Sequence, residues 1–163
     1  MTGVKEHRIV NGLVRAATME RVVEQAASHV SSLSLISEEK KRELYRVMVE
    51  SGDHYAMLVN EFEGLEQAVE KVEERVARGI PVPWPAKEEM EALITQLKLE
   101  RSMKIAYGEL LEDVKRLGVQ VASIDGIKIK TESAERVLQF LANAEERHAA
   151  IVKGIIDKFR QSE

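Results

Sequence analysis

The stretch "GLEQAVEKVEERVARGIPVPWP", residues 64–85, decides how this chain folds. Ahead of it lies an apolar stripe at helical spacing, Leu44, Met48, Ser51, Tyr55, Leu58 and Phe62, which runs on through Leu65, Val69, Val72 and Val76. One helix from residue 38 to 78 would be ~60 Å long, too long for a bundle of this size. Gly64 offers a break, leaving 65–78 as a separate helical piece, and all three prolines fall in "IPVPWP" (80–85). The flanking helices then have two possible relations. A simple hairpin at 79–85 sets them antiparallel. If 64–85 instead crosses back along the bundle, both start at the same end, and the segment can cover ~45 Å as a short helix plus an extended run.

The rest of the chain reads more directly. A first helix spans about residues 4 to 33, with Ile9, Leu13, Ala16, Val23, Ala27 and Val30 on one face, and the serine-rich "SSLSLIS" ends it. Ser37, followed by Glu38 and Glu39, is placed to N-cap the second helix with acids in its first turn. A third helix is expected from about Ala86 to Leu117 and a fourth from about Glu132 to Phe159. Between them, "VQVASIDGIKIK" (119–130) reads as a hairpin turning at Asp125-Gly126. The expected fold is all-α: one domain over residues 1–163, a four-helix bundle with a crossover between helices 2 and 3 and a small β-hairpin between helices 3 and 4.

Composition narrows the chemistry. Of 163 residues, 44% are apolar and 32% charged, as in a globular protein with a heavily charged surface. No apolar run approaches the ~20 residues of a membrane span, and "MTGVKEHRIV" has no signal-peptide core, so the chain reads as cytosolic. A net charge of −4, with basic residues scattered among acids, draws no basic face for nucleic acid. The abundance of Glu, Lys and Arg suits a thermophile. There is no cysteine, which removes disulfides, thiolate zinc, iron–sulfur clusters and cysteine nucleophiles. Any metal must be held by Glu, Asp and His, an oxygen-rich set that suits iron, manganese or zinc.

Such residues interrupt the apolar seams. On the fourth helix the positions 134, 138, 141, 145, 148, 152, 155 and 159 share a stripe, and only Glu145 and His148 on it are polar. At i,i+3 they lie on one face and reach one ligand together. Glu100 stands on the third helix's seam, with Lys104 one turn and Tyr107 two turns further on, and Glu20 is in register with Ala16, Val23 and Ala27. Glu50 and His54 lie at i,i+4 on the flank of the second stripe. Buried carboxylates without partners each cost several kcal/mol and repel one another when they converge; divalent cations cancel that charge.

Counted from their helix ends, Glu20 and Glu50 are level, and so are Glu100 and Glu145. Glu50 and Glu100 are level only if 64–85 crosses back, since a simple hairpin would separate His54 from Glu100 by roughly 16 Å. With this placement, Glu20, "ESGDH" (Glu50, His54), "LERSMKIAY" (Glu100) and "EERH" (Glu145, His148) resemble the ferritin-like carboxylate proteins, rubrerythrin-like ones in particular, over most of the chain. The second helix departs from that pattern in carrying Glu-x-x-x-His rather than Glu-x-x-His, with Gly52 between.

The resemblance implies two iron ions, or manganese, held by Glu20, Glu50, His54, Glu100, Glu145 and His148, with ferroxidase, peroxidase or oxidase chemistry. With no rubredoxin-type cysteine domain, electrons would come from a separate electron-donor protein; a homo-oligomer is expected, and the charge and hydropathy argue against a nucleic-acid or membrane partner. The competing expectation is a metal-free helical scaffold or oligomerisation module. Two features separate the readings: whether Lys104 or an arginine occupies the centre where the acids converge, and whether the second helix runs unbroken to Arg78.

Overall fold

In the computed structural model, which describes residues 2–84 and 88–161, the second helix stops just before Gly64. That residue adopts φ +94°, and a Cβ on it would stand 2.2 Å from the Gly126 carbonyl oxygen. Only glycine tolerates both the left-handed backbone and so close an approach. Beside it, the Lys128 N–H donates to the Glu63 carbonyl at 2.9 Å. The break is therefore held by the hairpin, some sixty residues further along the chain.

Among the described residues, five α-helices and one hairpin follow in chain order: α1 (Thr2–Ala26), extended by a 3₁₀ turn (Ala27–Ser32), α2 (Glu38–Glu61), α3 (Leu65–Ala77), α4 (Glu89–Lys115), β1 (Val121–Ile124), β2 (Ile127–Lys130) and α5 (Thr131–Gln161). This corrects the expectation of four helices with the hairpin between the third and fourth. The segment after Gly64 is a helix in its own right, and the hairpin joins the fourth helix to the fifth. The stripe explains why. Leu65 and Val69 are fully buried, Val72 and Val76 pack beside them, and α3 lies against α1. A segment that buries its own apolar face, at about 1.5–3 kcal/mol per large side chain, is a packed element rather than a connection. The expected helix start at Ala86 lies outside the described residues.

Local chemistry sets the other boundaries. The Ser37 hydroxyl accepts from the Lys40 N–H and caps α2, and Gly52 does not interrupt that helix. In the hairpin, Asp125 and Gly126 both have positive φ, as a two-residue turn between right-twisted strands requires. The register pairs Val121 with Lys130 and Ile124 with Ile127; Ile124, Ile127 and Ile129 face the core.

The long helices pack in two pairs, α1 with α2 and α4 with α5, and the pairs meet through α1 against α4 and α2 against α5. Fully buried Leu13, Leu44, Met48, Leu93, Met103, Leu138 and Leu141 fill the space between them. No described helix is long and apolar enough to cross a membrane.

Candidate metal centre

Into that apolar interior the four long helices also send charge. Glu20 from α1, Glu100 from α4 and Glu145 from α5 are completely buried, and His54 from α2 and His148 from α5 nearly so. For Glu20, Glu100, Glu145 and His148 the placement follows from the helical repeat, since each occupies a seam position that leucine or alanine fills one turn away, while His54, expected on the flank of its stripe, is turned inward.

The structure brings the six sequence-predicted residues together. His54 Nδ1 lies 3.0 Å from Glu20 Oε2 and 3.0 Å from Glu145 Oε1. His148 Nδ1 lies 3.6 Å from Glu100 Oε2 and 3.6 Å from Glu145 Oε2. The two imidazoles stack with centroids 5.2 Å apart. Glu145 thus turns one oxygen to each histidine. Glu50 joins from the edge, its Oε2 2.6 Å from His148 Nε2, with 41% of its side chain exposed. Lys104 does not enter: it is half exposed and pairs with Glu146 at 3.1 Å. Each of three groups, Glu20/His54/Glu145, Glu100/Glu145/His148 and Glu50/His54/His148, offers ligand atoms within 4.8 Å of one another.

Several of these atoms lack any hydrogen-bond partner among the described residues although fully buried: Glu20 Oε1, Glu100 Oε2, Glu145 Oε2 and His148 Nδ1. Leaving a buried polar atom unpaired costs about 1–3 kcal/mol, more if it is charged, so four in one cluster demand a reason. The distances supply one. Two ligand atoms each ~2.1 Å from a shared cation are ~3.6 Å apart near 120°, the separation of the unpaired His148 Nδ1 from both Glu100 Oε2 and Glu145 Oε2.

The protons report the same strain. Burial pushes the carboxyl of Glu20 above its ordinary range, against the pull of His54. Burial and then the neighbouring Glu145 raise Glu100 as well. Burial works against a charged His54, yet hydrogen bonds to Glu145 and Glu20 carry it up to about 9. His148 is likewise opposed by burial and carried up to about 11 by Glu100 and Glu145. At 3.6 Å that pull is charge attraction across a gap rather than a formed hydrogen bond.

Three further residues complete the surroundings, and sequence reasoning gave them no role there. The Tyr107 hydroxyl donates to Glu20 Oε2 at 3.0 Å; it shares a seam with Glu100, a position equally fit for a packing residue. Gln96 Nε2 donates to Glu100 Oε1 at 2.6 Å, and its i−4 spacing was the available signal. Ser51, three residues before His54, is buried with no hydrogen-bond partner for its hydroxyl among the described residues.

The chain is therefore a helical protein with clustered carboxylates and histidines able to coordinate a metal ion. Comparison with family models, curated proteins and solved structures found no match to it, so any functional reading rests on this geometry.

Proposed function

We propose that the cluster is a two-metal site of the ferritin-like kind, with iron or manganese as its ions and oxidoreductase chemistry as its purpose. Glu20, His54 and Glu145 would hold one ion, Glu100, His148 and Glu145 the other, and Glu145 would bridge them. One observation carries the reading: the two oxygens of Glu145 face two different histidine–carboxylate groups in an interior where several ligand-type atoms have no partner.

When bound, such a pair of ions would supply electrons to O₂ or peroxide, or pass on to them the electrons taken from ferrous iron as substrate. The residues' own tasks follow from their contacts. Glu20, Glu100 and Glu145 bring three negative charges to balance the ions. Tyr107 fixes the Glu20 oxygen that faces His54, and Gln96 holds the far oxygen of Glu100, leaving Oε2 turned to His148. Phe140 stands edge-on to His54 at 6.4 Å. With no cysteine in these residues, electrons would come from a group outside them.

The test is metal content by plasma mass spectrometry after anaerobic loading with Fe²⁺ or Mn²⁺. Wild type should retain about two ions per chain, and Glu145→Ala neither. No retained metal in wild type would leave a metal-free helical scaffold.

A further inference from the structure

Glu50 stands apart from the rest of the cluster. Helix geometry explains why. A carboxylate three residues before His54 would share its face of α2, but that position is Ser51, which is buried and bears no charge. The chain places its glutamate one residue earlier, still within about a turn of His54 but on its other side, about 100° around the helix from Ser51. That rotation carries Glu50 out to the half-exposed edge, where its Oε2 meets the outer nitrogen of a histidine on another helix, His148 Nε2, at 2.6 Å.

From these contacts, and resting on the two-metal reading above, we infer that Glu50 is a positioning residue for His148 and not a metal ligand. By accepting the Nε2–H, Glu50 fixes the ring's rotation and its tautomer, so that Nδ1 is the nitrogen offered inward, where it lies unpaired between Glu100 Oε2 and Glu145 Oε2. Outer hydrogen bonds of this kind orient ligating histidines and make them more basic.

The alternative is a third ion held by Glu50 with both imidazoles, whose ligand atoms lie within 4.8 Å of one another. Two features oppose it. A contact of 2.6 Å is hydrogen-bond length; two atoms ~2.1 Å from one ion and so close together would subtend only ~76°, tighter than tetrahedral or octahedral coordination allows. His148 would also have to ligate through both nitrogens at once, inside and outside.

The inference leaves three carboxylates and two histidines inside. It is tested with Co²⁺, titrated anaerobically into wild type, Glu50→Gln and Glu50→Ala, reading bound ions per chain after gel filtration and the visible ligand-field spectrum. Glu50→Ala should bind the same number of ions as wild type with the same spectrum at saturation, but with affinity for one of them lowered about 10–100-fold. Glu50→Gln, whose amide oxygen still accepts from Nε2–H, should recover most of that loss. A proton resonance for the His148 Nε2–H, sheltered in wild type and Glu50→Gln without metal, should disappear in Glu50→Ala. Fewer ions in Glu50→Ala at saturating Co²⁺, or a changed spectrum in Glu50→Gln, would make Glu50 a ligand. Unchanged affinity in Glu50→Ala would remove any role toward His148. Wild type that binds no Co²⁺ overturns the two-metal reading itself, a result distinct from the others because it appears before any substitution is made.

Discussion

The two histidines of the cluster are stacked nearly parallel yet are held from opposite sides. His54 is bonded from within: one nitrogen meets carboxylates from α1 and α5 at hydrogen-bond length. His148 is bonded from without, by Glu50, and its inner nitrogen faces two carboxylates across a gap. The same residue type at the same depth is thus closed on one side and open on the other. The difference teaches that the side chains fall into two histidine–carboxylate groups that share Glu145.

The sharpest way to break that picture is to remove the shared residue and each histidine in turn. Glu145→Ala is expected to abolish retention of both ions, while His54→Ala and His148→Ala each lose one and keep the other, read as ions per chain by mass spectrometry. Equal loss in all three variants would mean one centre with interchangeable ligands.

Acidity gives the next largest effect. His54 and His148 carry folded-state values above the ordinary 6.5, so without metal the folded chain binds more protons than the unfolded one. Stability is then greatest below pH 6.5 and falls as pH rises through about 9 for His54 and toward about 11 for His148. Glu20 and Glu100, raised mainly by burial, act in the same direction. The His54 part alone corresponds to roughly 3 kcal/mol. Urea midpoints measured in chelator between pH 6 and 10 should fall, and His54→Gln should flatten the segment ending near pH 9. If His148→Gln flattens that segment equally, the two rings titrate as one unit. Bound metal replaces those protons, so its stabilising effect should grow with pH.

How much of this was legible beforehand can be said residue by residue. Ser37, Gly64 and Asp125-Gly126 announce boundaries because capping and positive φ are properties of a few neighbouring residues. That 65–77 would count as a packed helix was not legible, because its burial depends on the face that α1 turns toward it. The seam positions of Glu20, Glu100, Glu145 and His148 follow from the helical repeat, and their convergence follows from depths measured along the axes. Glu50 was visible as a flank residue. Its partner was not, since i,i+4 spacing pointed to His54 and the contact is made to a residue on α5. Tyr107 and Gln96 were hidden for a similar reason: a hydroxyl or amide on a seam is as often satisfied by backbone as by a buried acid.

Tyr107 makes its hydrogen bond on the His54 side, to Glu20. Tyr107→Phe removes one hydrogen bond to a charged oxygen, worth about 1.5–3 kcal/mol at most. It should weaken the ion held by Glu20 and His54 while leaving the His148 side unchanged. Differential scanning calorimetry of the loaded and unloaded variant, beside a Co²⁺ titration, separates this from a general loosening of the core; weakening at both sides would show that Glu145 transmits the change.

Lys104→Ala should do least, and its small effect is informative. One turn beyond Glu100 on the sequence seam, Lys104 was the cation best placed to neutralise that acid and so to make the cluster an ordinary ion-pair network. In the fold its side chain is 47% exposed and pairs with Glu146, itself 64% exposed. Pairs of that kind contribute about 0–1 kcal/mol, and salt weakens them further. Removing the lysine should therefore leave the urea midpoint, the pH profile and the uptake of both ions nearly as in wild type. A marked gain in metal affinity would mean instead that the lysine reaches inward in solution and competes with the cations for Glu100. The helical repeat explains why it does not: a long, flexible side chain beside a buried seam keeps its charge in water by extending along the helix surface, whereas a glutamate at position 100, shorter and already held by Gln96, has no such path.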